Sequence, residues 1–184
     1  MNKIYLLFIL VLSTTVFFSC KTDEEPTLEE INKNKNNNNN NNNTTDTVII
    51  VINEVVSNPP SGFPDWIELY NAGTTTANLG GYKLIDSKGL IDDEVYIIPE
   101  NTMLEAGKFI VFKNGTSFTF GLSGSNGDEV ILATPSDSII DHLTFSSMAT
   151  ANSSYGRKPD GSTHLYYFNE NTEATSNNLS TVIN

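Results

Sequence analysis

The chain has few of the residues on which many enzymes and disulfide-stabilised exported domains depend. Its 184 residues include one cysteine, two histidines and one tryptophan. A single cysteine excludes any intramolecular disulfide bond, so the fold must depend on burial and hydrogen bonding. Long apolar runs are also lacking, because the longest, residues 4–18, has about fifteen residues against the roughly twenty that a membrane-spanning helix needs. A run of this length is typical of a cleaved export segment.

The layout around that run predicts a signal peptide over residues 1–19. Lys3 precedes the run, and Ser19-Cys20 closes it. This ending resembles a bacterial lipobox, in which the cysteine becomes the lipidated N-terminus of the mature protein. The resemblance implies a diacylglyceryl group and an acyl chain such as palmitate on Cys20, and a membrane as partner through that anchor. A transmembrane helix with a chance cysteine is the alternative, and its length disfavours it.

Residues 20–46 are predicted to be a disordered tether. Residues 21–25 (Lys-Thr-Asp-Glu-Glu) are similar to the acidic export signal of Bacteroidota lipoproteins. That similarity implies an outer membrane lipoprotein exposed at the cell surface. Asparagine occupies every position from 36 to 43, and such a segment cannot bury enough apolar surface to order itself. As a flexible coil the tether spans roughly 30 Å, which holds a domain clear of the lipid.

The remaining residues, 47–184, are predicted to form one domain with a strong negative charge. They hold sixteen acidic and six basic side chains, a net charge of −10. Such a field repels phosphate groups, so nucleic acid is not expected as a partner. Cations are conceivable ligands.

The pattern of this domain is β almost throughout. Short β-branched, aromatic or alternating segments are separated by turns rich in Gly, Pro and Asn, which is typical of a β-sandwich. The predicted strands are Val48–Val56, Asp65–Asn71, Tyr82–Ile85, Val95–Ile98, Phe109–Phe112, Val130–Ala133, Ile139–Phe145 and Leu165–Phe168. Alternation predicts seven core residues: Ile67, Leu69, Leu84, Ile110, Phe112, Ile131 and Ile140. Gly107 is expected to take a positive φ in a turn.

A family resemblance rests on the order of several short motifs. They are Ile-Asn-Glu-Val at 52–55, Asp-Trp-Ile-Glu-Leu-Tyr-Asn at 65–71, Leu-Gly-Gly-Tyr-Lys-Leu at 79–84, Gly-Asp-Glu-Val-Ile-Leu at 127–132 and Tyr-Gly-Arg-Lys-Pro-Asp-Gly at 155–161. Over residues 48–178 the chain resembles a bacterial lamin-tail domain. The resemblance implies an immunoglobulin-like β-sandwich, and because such domains often accompany secreted hydrolases it suggests an accessory or targeting part. Members often close with Thr-Pro-Gly-Ala-x-Asn, whereas residues 172–177 here lack the Pro and the Gly.

The chain contains few of the residue combinations that catalysis requires, and we predict that the protein is not an enzyme. A Ser-His-Asp system needs a carboxylate that orients a histidine. His142 follows Asp141 within a predicted strand, so the two side chains point to opposite faces, and His164 is expected to be solvated. Arg157 lies beside a predicted chain reversal at Gly156, where its guanidinium is expected to tie the final segment to the sandwich. A ligand-binding Arg157 is the alternative.

The acidic loops suggest calcium as a possible cofactor. Calcium takes six to eight oxygen ligands, and Asp86, Asp92 and Asp93 crowd into one loop as the first candidate ligands. Glu54, Asp65 and Glu68 could instead converge where the first two strands pair. Neither set matches the EF-hand pattern.

Trp66, Tyr70 and Tyr82 are the candidate binding residues. If their face is uncovered they could form an aromatic platform for a glycan or a surface protein. The interpretation we favour packs Trp66 under the Pro59-Pro60 loop. Asp-Thr-Val at 46–48 and Asp-Ser-Ile at 137–139 also resemble an O-glycosylation motif of Bacteroidota.

Taken together, the sequence predicts a surface-tethered, non-enzymatic lipoprotein that displays one lamin-tail-like β-sandwich for protein interaction or adhesion. The alternatives are a calcium- or glycan-binding accessory module in nutrient capture and, less favoured, a hydrolase.

Overall fold

The structure is a computed structural model that describes residues 45–89, 95–148 and 150–183. These residues belong to one compact unit, Thr44–Asn184. The predicted signal peptide, Cys20 and nearly all of the tether lie outside the described residues, as do Asp92 and Asp93. Within the described ranges, no helix is long and apolar enough to cross a membrane.

The described residues form short strands joined by turns, with one 3₁₀ turn, Asn177–Leu179. The strands are β1 (Ile50–Val56), β2 (Trp66–Asn71), β3 (Ala77–Asn78), β4 (Lys83–Ile85), β5 (Tyr96–Ile97), β6 (Met103–Leu104), β7 (Phe109–Lys113), β8 (Asp128–Ala133), β9 (Ile139–Phe145), β10 (Ser154–Arg157) and β11 (Leu165–Phe168). Every strand predicted from the sequence overlaps an observed one, so the all-β prediction is confirmed.

Two antiparallel sheets pack face to face as an immunoglobulin-like β-sandwich. The five-stranded sheet has the order β11-β10-β1-β2-β7, and the four-stranded sheet has the order β5-β4-β8-β9. The small β3-β6 ladder stands apart from both. Ile52 and Leu69 of the first sheet join Leu84 and Leu132 of the second in one apolar core, and all four are fully buried. Burial of this kind contributes about 2 kcal/mol for each large aliphatic side chain.

A β-bulge in β1 decides which way its acidic residue points. Ile52 pairs with Leu69, but Glu54 pairs with Glu68, so the register shifts by one residue at Asn53. Strict alternation would place Glu54 on the core face with Ile52. The extra residue reverses that parity, so that Val55 enters the core and Glu54 faces outward beside Glu68.

The predicted core is right for most of its members. Ile67, Leu69, Leu84 and Phe112 are buried, and Ile110 packs partly buried against the core. Ile131 and Ile140 were wrong predictions, because the inward face of β8 and β9 carries their neighbours of opposite parity, among them Val130 and Leu143. Ile140 is 44% exposed.

The predicted chain reversal at Gly156 was also wrong, because Gly156 and Arg157 lie inside strand β10. This strand was not predicted because its polar residues and its glycine do not form the β-branched or alternating pattern that indicates a strand. Glycine is needed there for close approach, since an added Cβ would lie 2.5 Å from the carbonyl oxygen of Asn53. The positive φ predicted for Gly107 is confirmed at 70°.

Arg157 has a structural role, as the interpretation we favoured expects, but it joins β10 to β1 and to β9 of the other sheet and does not tie the final segment at a chain reversal. Its Nε donates to the carbonyl oxygen of Ile52 (2.8 Å) and its Nη1 to that of Ser162 (2.6 Å). Its Nη2 binds both carboxylate oxygens of Asp141, at 2.8 and 3.0 Å. Asp141 also accepts from the Ile52 amide at 2.7 Å. The guanidinium is thus fully engaged inside the protein.

Candidate functional site

The outer face of the five-stranded sheet is covered around β1 and β2, although a sandwich often leaves this face wet. The loop of residues 57–64 lies on one side. On the other lies the C-terminal strap, which we define as residues 169–179. Under this cover Glu54 and Glu68 are completely buried and Trp66 is 4% exposed. Two features lie under this cover. One is a groove above Trp66, which we call the Trp66 groove. The other is a group of hydrogen-bonded carboxyl groups beneath the strap, which we call the carboxylate seam.

The Trp66 groove is a cavity of about 180 Å³ with the indole at its base. The loop contributes Pro59, Pro60, Phe63 and Pro64 to its lining. Trp66 therefore packs beside the Pro59-Pro60 loop, as the interpretation we favoured expects. Phe63 is 70% exposed, so this groove presents one solvent-facing aromatic ring beside a buried one.

The opposite side of the groove is polar. Asn152 and two strap residues, Asn171 and Glu173, line it together with Lys113 from the end of β7. Lys113 Nζ lies 2.6 Å from Glu173 Oε1, with both side chains about two-fifths exposed. An ion pair this exposed contributes at most about 1 kcal/mol to stability. Its main effect is to orient the two side chains on the polar side of the groove.

The carboxylate seam begins at Glu54. Its carboxylate accepts the Thr172 amide at 3.1 Å and the Thr172 hydroxyl at 2.7 Å, so β1 is bonded directly to the strap. The hydroxyl of Ser154 is buried beside this carboxyl, where it lowers the pKa of Glu54. Within the described part of the chain that hydroxyl forms no hydrogen bond of standard geometry.

Glu68 makes the second attachment. Its Oε2 accepts the Ala174 amide of the strap at 2.8 Å, and its Oε1 accepts Asn53 Nδ2 at 3.1 Å. The two glutamates are directly opposite each other on adjacent strands. Among the described residues, neither glutamate forms an ion pair with a basic side chain.

Asp160 and Asn177 complete the seam. Asp160 Oδ1 accepts from Asn53 Nδ2 at 3.1 Å and from the Asn177 amide at 2.9 Å, while its second oxygen contacts the Ser176 hydroxyl. Asn177 is fully buried and donates to the carbonyl oxygens of Asn53 (3.3 Å) and Arg157 (3.1 Å). The seam therefore joins β1, β2, the turn after β10 and the strap.

Burial perturbs both glutamates strongly. It raises the pKa of Glu54 from 4.5 to about 7, with a smaller contribution from the charge of Asp160 and opposition from the hydrogen bonds. It raises the pKa of Glu68 to about 8, helped by the charges of Glu54 and Asp160 and opposed by Asn53 and Ala174. Two buried carboxylates without a cation disfavour joint ionisation. Burial and mutual repulsion therefore both favour the protonated form of the pair.

The three candidate aromatic residues do not form one exposed platform. Tyr82 packs against the core between the sheets. Tyr70 stacks on Phe109, with ring centroids 4.8 Å apart. Trp66 lies on the same outer face as Tyr70 but is buried. Only Trp66 among the three lines the groove.

The candidate calcium ligands are described only in part. Asp86 is buried, and its carboxylate accepts the Lys88 amide at 2.9 Å, whereas Asp92 and Asp93 lie outside the described residues. Of the alternative set, Glu54 and Glu68 do converge, but Asp65 turns away to accept the Leu122 amide at 3.0 Å. Where the structure describes the chain, no group of three or more His, Cys, Asp or Glu is placed to share a metal ion.

Asp141 and His142 point to opposite faces, as predicted. Asp141 is engaged by Arg157, whereas His142 and His164 are exposed. Thr47 and Ser138, the hydroxyl residues of the two candidate glycosylation motifs, are also exposed.

Sequence reasoning missed most of the carboxylate seam. Asp160, Thr172 and Asn177 lie in turns and loops and give no periodic signal, and Asn53 lies at the bulge of β1, where the alternation is interrupted. The available signal was the closing motif at 172–177, whose first and last residues, Thr172 and Asn177, both enter the seam.

A family model described as Lamin Tail Domain matches residues 43–147, which is more than half of the chain. No curated protein matches the sequence. The matched residues include both glutamates of the seam and the loop beside the groove, and they end before the strap.

Proposed function

The chain belongs to the lamin tail domain family, and from that premise we propose that it is a surface-tethered, non-enzymatic lipoprotein whose immunoglobulin-like domain binds a protein partner. The Trp66 groove is the proposed binding site. The observation that carries this proposal is the pairing of a solvent-facing Phe63 with a buried indole inside a polar rim. Apolar anchors with a surrounding polar rim are the usual anatomy of protein interfaces.

The size and chemistry of the groove define what it would accept. A cavity of about 180 Å³ accommodates one apolar side chain, not a folded element. Asn152, Asn171 and Glu173 offer amide and carboxylate groups to the main chain that would carry that side chain. The partner is therefore proposed to insert an apolar residue from an exposed segment. The net charge of −10 over residues 47–184 favours a partner with a basic surface.

Binding to the full chain tests this proposal. A biotinylated full chain in non-ionic detergent is incubated with outer-membrane and surface fractions, and the captured protein is identified and its affinity is measured. Phe63→Ala should weaken binding at least about tenfold, because exposed aromatic anchors often contribute more than 1.4 kcal/mol. Ile97→Ala is the matched control, since Ile97 is 57% exposed on β5 in the other sheet.

Equal binding by the Phe63→Ala variant would exclude the groove. A glycan array and a calcium chelator distinguish the alternatives. Saturable glycan binding that Phe63→Ala abolishes would replace a protein partner with a carbohydrate. Loss of binding on chelation would favour the acidic loop that contains Asp86.

Tethering is a separate part of the proposal and rests on the sequence around Cys20. Replacing Cys20 by alanine removes the atom that would carry the lipid. Fractionation should then find the protein released from membranes, with near-ultraviolet circular dichroism unchanged. A Cys20→Ala variant that stays membrane-bound after a high-salt wash would contradict the lipid anchor.

A further inference from the structure

We propose that Glu54 and Glu68 form a proton-operated latch that holds the C-terminal strap closed when protonated and releases it when both ionise. This inference concerns the conformation of the protein itself. It does not depend on whether the Trp66 groove binds a partner.

The first support is the position of the two carboxyl groups. They lie on directly paired residues of neighbouring strands, and both are completely buried. Each is attached to the strap by a different residue, Glu54 by Thr172 and Glu68 by Ala174. The strap covers both carboxyl groups on the outer face. We therefore expect that water can solvate their charges only when the strap opens.

The charged groups around the pair do not neutralise it. Asp160, from the turn after β10, adds a third negative charge that raises the pKa of both glutamates. The Arg157 guanidinium on β10 is directed away to Asp141. On the strap side, Lys113 is paired with Glu173 at the groove rim. Lys158 donates to the carbonyl oxygen of Ser180.

Apart from the two glutamates, the strap is held by polar contacts, among them those of Asn177 with Asn53 and Asp160. Asn177 is its one buried residue, and all eleven positions of the strap are described. Leu179 is 96% exposed, so the strap gains little from apolar burial. Ala174 has φ of 58°, a conformation that costs an alanine about 1 kcal/mol. A segment held by polar contacts and carrying local strain belongs to the part of a fold that opens first.

Proton linkage gives the direction of the switch. In the open strap the carboxyl groups are solvated, and their pKa returns toward the ordinary glutamate value of 4.5. In the closed strap burial holds these pKa values higher, at about 7 for Glu54 and about 8 for Glu68. Opening therefore releases protons, and the open form gains population as the pH rises from about 5 to 8.

Opening would alter the Trp66 groove. Asn171 and Glu173 belong to the strap and line the groove opposite the proline loop. When the strap leaves, the indole at the base of the groove becomes accessible. Because Trp66 is the single tryptophan of the chain, its fluorescence reports on the strap directly.

The experiment uses the full chain in non-ionic detergent between pH 5.5 and 8.5. Hydrogen exchange of the 169–179 segment is divided by the intrinsic rate at each pH and compared with that of β8. Acrylamide quenching of Trp66 is recorded in parallel. From pH 6 to 8 the corrected opening of the strap should increase at least about tenfold, which is one proton released over one pH unit, while β8 stays unchanged.

Glu54→Gln is the main variant, because glutamine keeps the shape and its amide can donate to the Thr172 hydroxyl. It should reduce the pH dependence of strap exchange, and the Glu54→Gln/Glu68→Gln double variant should abolish it. Glu105→Gln is the control, since Glu105 is exposed in a turn remote in sequence from the seam. If variants lose the fold, the wild-type profile still decides the question.

Strap exchange that stays constant in wild type from pH 6 to 8 would overturn the latch. So would a pH-dependent opening that persists unchanged in the double variant, because another group would then be responsible. Opening that spreads equally to β8 would also contradict it, since the change would be global unfolding.

Discussion

The apolar core between the sheets and the two glutamates of the carboxylate seam are both buried, yet they affect the stability of the protein by different means. The core unites side chains such as Ile67, Leu69 and Leu132, all at 0% exposure. The seam encloses Glu54 and Glu68 at the same exposure. Burial of apolar surface is favourable at every pH, whereas burial of a carboxyl is tolerable mainly in its neutral form. The comparison separates a pH-independent region from a pH-dependent one.

The largest expected effect comes from breaking the core. Leu69→Ala truncates a completely buried side chain of the apolar core, so it should lower the free energy of unfolding by about 3 kcal/mol. Denaturant unfolding at pH 5 and at pH 8 measures it. The loss should be the same at both pH values, because the buried residues of the apolar cluster that includes Leu69 carry no ionisable group. A loss that differs strongly between them would show that the two regions are coupled.

A smaller effect is expected from titrating the seam. Both glutamates have a folded-state pKa above the ordinary 4.5, so their contribution to the free energy of unfolding is fully present below about pH 4.5. This contribution is lost as the pH rises through the folded-state pKa values, about 7 for Glu54 and about 8 for Glu68. The free energy of unfolding of the wild type should therefore fall by on the order of 2 kcal/mol between pH 5 and 8.5.

The Glu54→Gln/Glu68→Gln double variant sharpens that prediction. Its unfolding free energy should change much less over the same pH range, and at pH 8.5 it should exceed that of the wild type. A double variant with the full wild-type pH dependence would assign the effect to another group. Asp65 is the first alternative, because burial also raises its pKa.

The smallest effect is expected from relieving strain in the strap. Ala174 occupies the left-handed region at φ 58°, where glycine carries no Cβ penalty. Ala174→Gly should therefore stabilise the closed strap by about 1 kcal/mol, and hydrogen exchange of the Glu68-bound amide should slow. Ala106→Gly is a suitable comparison, since Ala106 has no positive φ and glycine there should be neutral or destabilising. Faster exchange in Ala174→Gly would contradict the strain argument.

Residue patterns account for the sandwich but not for the seam. The alternation in β2 correctly places Ile67 and Leu69 in the core, since side chains alternate along any strand. Ile140 was assigned wrongly because a short apolar run does not say which parity faces inward. Strand β10 escaped notice because Gly156 is there for a close backbone contact with Asn53, which a single sequence does not reveal.

The candidate site was predictable only in fragments. Trp66 and the Pro59-Pro60 loop were correctly associated, because they are close in sequence. The strap residues Asn171 and Glu173 reach the same groove from more than a hundred positions away. No local pattern encodes such a contact.

The sequence by itself determined the all-β class, the positions of eight strands, the family and the acidic balance of the domain, because these depend on composition and on local alternation. It also carries the predictions of a lipid on Cys20 and a flexible tether. Only the tertiary structure decided on which face of the sheet Glu54 lies and that it is buried there. One bulge at Asn53 turned this residue from the core face to the outer face, and the strap then sealed it against Glu68. Two ordinary acidic residues thereby became a directly paired, buried couple whose pKa values are both raised by burial.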